Sequence, residues 1–218
     1  MPVLACARDT PADNQATVHV IDDDVSLREA LDLLFLSIGL NVRTYASVQE
    51  FLDARAHGGS GCIVLDVRLP GISGLDFQSR RERFGINLPM VMMTGHGDIL
   101  MSVCAMKAGA VDFLAKPFRD QDMIDAVTAA IKRDRERRVA ESATAEIGDR
   151  YATLSPRERQ VVALVTGGKM NKQAAFELGL SEITVKLHRM RAMEKMAARN
   201  FADLVRMVHA LELHGLSS

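Results

Sequence analysis

Residues 62–66, CIVLD, place four apolar side chains in a row and end them with an acid. The run is too short for an ordinary helix, and its lack of alternation suits a strand covered on both faces. Four further stretches read as strands of the same kind: 17–22 (TVHVID), 41–45 (NVRTY), 88–93 (LPMVMM) and 111–114 (VDFL). Between and after them lie segments with helical spacing. Residues 25–38 carry Leu27, Ala30, Leu31, Leu34 and Ile38, and 48–56, 74–84, 98–108 and 120–138 are the other helix candidates. Five β-α units predict an α/β doubly wound five-stranded parallel sheet over residues 17–130, with right-handed crossovers. Ligands of such sheets sit beyond the carboxyl ends of the strands.

Those ends carry chemistry. The first strand delivers Asp22 and Asp23, the third Asp66 and the fourth Thr94, while Lys116 and Pro117 follow the fifth. Carboxylates converging on one edge repel one another unless a hard cation lies between them, and Mg²⁺ takes oxygen ligands of this kind. One carboxylate can then act as a nucleophile toward phosphorus, with a hydroxyl and an ammonium group stabilising the phosphoryl oxygens. Taken singly, the acids at 22–24 read as a solvated loop and Asp66 as a helix cap. The co-ordered set is what carries weight. The glycine cluster GGSG at 58–61 precedes a strand and lacks a following Gly-Lys, so it reads as a turn rather than a phosphate loop.

Beyond the sheet, residues 132–139 (KRDRERRV) suit a solvated continuation of the last helix, and 140–150 read as a flexible stretch, making 131–150 a linker. Residues 151–218 are expected to be all-helical, with helices at 155–166, 171–178, 181–197 and 201–213. Gly167, Gly168 and Gly179 fall where helices stop. The segment 171–178, a short turn, and a helix from Glu182 make a helix-turn-helix, with Ser181 able to cap the second helix. Along that helix Ile183, Leu187, Met190 and Met193 or Glu194 share roughly one face, while Lys186, Arg189 and Lys195 lie elsewhere. Residues 1–16 read as a flexible tail.

The net charge of −1 conceals an asymmetry. Residues 1–130 hold 11 Lys and Arg against 17 Asp and Glu, whereas 151–218 hold 10 against 6. An acidic module joined to a basic one suggests metal chemistry in the first and a polyanionic partner for the second. Cys6, Cys62 and Cys104 show no metal-type spacing and fit reduced thiols. No apolar run is long enough to cross a bilayer, and no secretory signal is evident, so a cytoplasmic protein without a membrane partner is expected.

The motifs VIDDD (20–24), VLDVRLPGISGLD (64–76), MMTGHGD (92–98) and FLAKPF (113–118) together resemble a response-regulator receiver domain. The resemblance implies that Asp66 is the phosphoacceptor and that Asp22, Asp23, Asp66 and the backbone carbonyl of Arg68 hold Mg²⁺. It further implies that Thr94 and Lys116 contact the phosphoryl group and that Phe113 is a switch aromatic whose rotamer follows Thr94. LSPRERQVVALVTGG (154–168) and NKQAAFELGLSEITVKLHRMRAMEKM (171–196) resemble the LuxR/FixJ-type helix-turn-helix over nearly all of 150–213. That resemblance makes Glu158 a buried acid of the first helix and assigns DNA contacts to Thr184, Lys186, His188 and Arg189. Val185 is expected in the core, and Met190, Met193 and Met196 are expected to pack.

Two positions depart from the family pattern. Ala174 stands in place of a large aliphatic, a loss Phe176 would have to make good. Met170 replaces the usual Ser, so that Asn171 would have to cap its helix.

The function implied is that of a two-component transcription regulator, without turnover as an enzyme. A sensor histidine kinase would phosphorylate Asp66, the face formed by 98–108 and 111–114 would dimerise, and paired helix-turn-helix units would bind double-stranded DNA. Two other readings stand beside it: a DNA-binding regulator indifferent to phosphate, and an aspartyl-phosphate hydrolase. The second is disfavoured because Arg68 stands where such hydrolases commonly carry an acid.

Overall fold

The computed structural model describes residues 16–55, 58–95 and 99–213, and the chain divides into two compact units between Arg137 and Arg138. In the first unit β1 (Thr17–Ile21), β2 (Asn41–Tyr45), β3 (Gly61–Asp66), β4 (Met90–Thr94) and β5 (Asp112–Ala115) form one parallel sheet ordered β2-β1-β3-β4-β5. Helices α1 (Val25–Ser37), α2 (Val48–Asp53), α3 (Gly74–Arg80), α4 (Ile99–Lys107) and α5 (Asp120–Ala152) follow the strands in turn. This is the doubly wound fold expected from the five apolar runs.

The continuity of those runs has a physical cause that β3 displays. Ile63 and Leu65 enter a core with Ile21, Phe51 and Phe77, while Cys62 and Val64 enter a second core with Val18, Phe35 and Val127. Each face of the sheet is therefore dry, and every position of β3 is buried. Burying an aliphatic side chain of this size is worth ~1.5–3 kcal/mol, so a polar residue on either face would be costly. The edge strand β2 lacks this double cover and is mostly exposed, which matches its polar sequence NVRTY. The sheet order reverses at β1, whose neighbours are β2 and β3, and the crevice at such a switch point is where open sheets bind ligands.

In the second unit α6 (Pro156–Thr166), α7 (Asn171–Leu178), α8 (Glu182–Met196) and α9 (Phe201–Leu213) surround two small cores. Gly179, at φ 64°, ends α7 in a conformation that favours glycine, and the turn leads directly into α8.

Several expectations are corrected. Residues 140–150 are helical rather than irregular, because α5 runs unbroken to Ala152. Its Ala- and Glu-rich sequence favours helix, Arg150 pairs with Glu146 at 2.6 Å, and Ile147 and Tyr151 pack on a core of the second unit. Ala16, assigned to the tail, is buried in the first unit's core. The helix expected over 74–84 ends at Arg80 and is followed by a 3-10 turn, Arg81–Phe84. Residues 1–15 of the expected tail, residue 56 of the second expected helix, residue 98 of the fourth and residues 214–218 lie outside the described residues. Among the described residues no helix is long and apolar enough to cross a membrane.

Candidate functional site

β1 ends at Ile21, so Asp22 and Asp23 are the first residues beyond it, and Asp66 is the last residue of β3. Parallel pairing of these neighbours brings the acids together. Asp22, Asp23 and Asp66 each offer a carboxylate oxygen, and the three oxygens lie within 4.8 Å of one another. Asp22 and Asp66 are buried and Asp23 is exposed.

Lys116 follows β5 and bridges the two buried acids. Its Nζ donates to Asp22 Oδ2 at 2.6 Å and to Asp66 Oδ2 at 2.7 Å. The backbone carries it there, since the Lys116 N–H donates to the Thr94 carbonyl at 2.7 Å. Thr94 ends β4 in register with Ala115 and is fully buried. Phe113 pairs with Met92 and packs, half-buried, against the core that includes Leu65. The Arg68 N–H donates to Asp66 Oδ1 at 3.1 Å, which holds the backbone of Arg68 at the site.

Burial pushes the Asp22 carboxyl above the usual carboxylate range, outweighing the Lys116 hydrogen bond that acts the other way. For Lys116, burial acts to lower the pKa, but hydrogen bonds and charge attraction from Asp22 and Asp66 together raise it. Three carboxylates against one ammonium group leave two negative charges in a confined, partly buried space. That donor set fits a divalent oxygen-seeking cation such as Mg²⁺.

Two supporting residues escaped the sequence reading. Arg28 Nη1 donates to the Asp22 carbonyl at 2.6 Å, fixing the backbone of the acidic pair from α1. Gly74 opens α3 where a Cβ would lie 2.2 Å from the Asp66 carbonyl oxygen, so no side chain is tolerated without movement. The glycine in GISGLD was the visible signal, but the atom it makes way for belongs to the last residue of β3.

The second candidate site is α8. Ser181 caps it, accepting from the Thr184 N–H at 3.1 Å. Val185, Ala192 and Met196 face the core, as expected for Val185 and Met196. Ile183 is 79%, Met190 50% and Leu187 39% exposed, so an apolar stripe points outward. Met190 therefore does not pack as expected, because its helical phase matches Ile183 and Leu187 rather than the buried face.

The four expected contact residues differ in disposition. Lys186 is exposed and pairs with Glu182 at 3.2 Å. The Thr184 hydroxyl shares a hydrogen bond with Ser181 Oγ at 2.8 Å. His188 is half-buried, with Nδ1 buried and without a hydrogen-bond partner among the described residues. Arg189 is turned inward, 5.5 Å from the Phe201 ring centroid and 3.4 Å from Asn171 Oδ1. Arg191, which the sequence reading passed over, is exposed one turn beyond Leu187 with no ion-pair partner among the described residues.

Glu158 ties the start of α6 to the end of α8. Its Oε2 accepts from Lys195 Nζ at 2.7 Å and from the Ser155 N–H at 2.8 Å, which lowers its carboxyl to about 2. Ala174 is fully buried against Val161, Val165 and Val185. Phe176 does not fill that place, being 89% exposed. Met170, not Asn171, is the residue preceding α7. The Gln173 side chain accepts its N–H at 2.8 Å, so the helix start is closed from the third position instead of by a capping Asn.

Comparison with known proteins matches residues 18–128 to the response regulator receiver domain and residues 152–208 to the bacterial regulatory proteins of the luxR family. Nodulation protein W of Bradyrhizobium diazoefficiens is 53% identical over 202 residues, covering 93% of this chain and 89% of the relative. The transcriptional regulatory protein FixJ of Azorhizobium caulinodans is 47% identical over 190 residues, covering 87% and 90%. The solved structure of the response regulator StyR superposes with a TM-score of 0.76 at 43% identity, covering 89% of this chain and 98% of that one.

Proposed function

The chain belongs to the response regulators that join a receiver domain to a LuxR-type DNA-binding domain, and on that premise we propose that Asp66 is its phosphorylation input and α8 its DNA-reading output. The observation that carries the first part is the cluster of Asp22, Asp23 and Asp66 bridged by Lys116. A carboxylate oxygen of Asp66 attacks the phosphorus of a sensor kinase's phosphohistidine. The P–N bond breaks, the imidazole leaves and takes a proton from solvent, and an acyl phosphate forms on Asp66. Asp22, Asp23, Asp66 and the Arg68 carbonyl would hold Mg²⁺, which when bound supplies charge neutralisation for the transferring phosphoryl group. Lys116 then exchanges its bond to Asp66 for one to a phosphoryl oxygen, and Thr94 offers its hydroxyl to another. Movement of Thr94 leaves a place for Phe113, and the change reaches α4 and β5. Val103 and Met106, one turn apart on α4, are 44% and 47% exposed, an apolar surface suited to pairing two receivers. Phosphate promotes that dimer only by the free energy with which it separates the two conformations.

On the DNA side, Lys186 and Arg191 are placed to neutralise phosphates, with Thr184 in the first turn of α8 and His188 near its middle. Arg189, whose guanidinium lies over Phe201, positions α8 and, being only partly buried, also contributes a contact to DNA. The same reading puts the chain in the cytoplasm with its kinase partner's phosphohistidine and with double-stranded DNA. The direct test is incubation of the purified chain with acetyl phosphate and Mg²⁺. One phosphate per chain is expected by intact mass, and none on Asp66→Asn. Equal labelling of the variant would remove Asp66 from its role.

A further inference from the structure

We infer that the opposite edge of the receiver sheet holds a second binding site, for a small dianionic phosphorylated molecule. A cavity of 290 Å³ opens there, and Arg81, Asn87, Gly109, Arg133, Asp134 and Arg137 are among its lining residues. Small-molecule sites occupy ~300–1,000 Å³, so the space suits a phosphorylated metabolite rather than a strand or a protein segment.

The site is built rather than a chance crowding of cations. Asp134 is 1% exposed, and both its oxygens are engaged by its own chain. Oδ2 accepts from the Gly61 N–H at 3.0 Å, and Oδ1 from Arg137 Nη2 at 2.5 Å. The buried acid thereby fixes the Arg137 guanidinium at the cavity. On the other side, a Cβ on Gly109 would lie 3.5 Å from Arg81 Nη2, so the bare glycine backbone lets that guanidinium lie against it. Neither the Arg81 nor the Arg133 guanidinium has a hydrogen-bond or ion-pair partner among the described residues. Arg81 and Arg133 are thus two cavity-lining cations without a partner among the described residues, the complement of a phosphomonoester dianion. The planar fork of Arg matches phosphate oxygens in pairs, which a set of lysines would not do.

The position separates this site from the phosphoacceptor. Gly61 opens β3 and Asp66 closes it, so the two sites stand roughly 17 Å apart along the strand at ~3.3 Å per residue. Pro89 and Gly109, which precede β4 and β5, lie at the same amino-terminal edge. The inference needs nothing from the reading of Asp66 or of α8.

Titration calorimetry of the full chain in EDTA tests it, with inorganic phosphate and pyrophosphate as probes. One saturable equivalent is expected. Arg133→Gln and Arg81→Gln should each weaken binding about tenfold or more, and the double variant should lose it. The same variants should keep the parent's melting temperature and its affinity for duplex DNA. Absence of saturable binding would overturn the site. So would binding that survives in the double variant, which would place the anion on the basic second unit instead. Should Arg81→Gln disturb packing at Gly109, the exposed Arg133 carries the test alone.

Discussion

Gly74 and Glu158 are single residues on which each unit leans. A methyl group on Gly74 would meet the Asp66 carbonyl oxygen at 2.2 Å, and the obstacle is backbone, which cannot swing aside. Gly74→Ala should destabilise the receiver by ~1–3 kcal/mol, the usual cost of overpacking, read as a lowered urea midpoint. It should also slow labelling by acetyl phosphate, because the strain falls on Asp66, the proposed phosphoacceptor. For Glu158, the folded carboxyl lies at about 2 against an ordinary value of 4.5. The unfolded chain therefore binds the proton first, and the stability that Glu158 contributes is complete above about pH 4.5 and lost as pH falls toward 2. Melting curves of the parent and Glu158→Gln, followed through the second unit, should differ by a constant amount above about pH 5 and converge toward pH 2. A gap that does not close in acid would assign the effect to packing rather than to the ion pair with Lys195.

At the scale of an element, α8 is unusual in what it turns outward. A helix facing a polyanion would be expected to show cations, yet Ile183, Leu187 and Met190 form its outward stripe. Lys195 is engaged by Glu158, Arg189 lies on Phe201 and Lys186 is paired with Glu182, which leaves Arg191 as the exposed cation of α8 without an ion-pair partner among the described residues. In the major groove the apolar feature available to such a stripe is the thymine methyl group. On the proposed DNA-reading role, a binding site selected from random duplexes should contain thymines under α8. Replacing them singly by deoxyuridine should weaken binding about fourfold each, the equivalent of ~0.8 kcal/mol for one buried methyl-sized group. Gel shifts on substituted duplexes read this directly, and indifference to every methyl would show that the stripe does not enter the groove.

For the whole molecule, the input and the output lie in separate units, so their coupling is the property to measure. Operator binding and size-exclusion profiles should be taken on the same samples, with and without acetyl phosphate, at one stated salt concentration. Phosphorylation should raise both the dimer fraction and the operator affinity, and Asp66→Asn should abolish both changes. Affinity that rises without dimer would exclude the face around Val103 and Met106 as the route. The doubly wound sheet, the helix-turn-helix and the set Asp22, Asp23, Asp66, Thr94 and Lys116 were all legible in the chain itself. Hydrophobic period and strand-end position are local properties, and parallel strands covered on both faces leave an unmistakable run such as CIVLD. Tertiary structure alone decided where side chains not marked by period would turn. It brought Arg28 to the Asp22 carbonyl, seated Ile147 and Tyr151 on the second unit's core, and assembled Arg81, Arg133 and Arg137 from α5 and the turn after α3. Each of those outcomes depends on which atoms from distant parts of the chain compete for the same space or charge, and that competition exists only once the elements have packed.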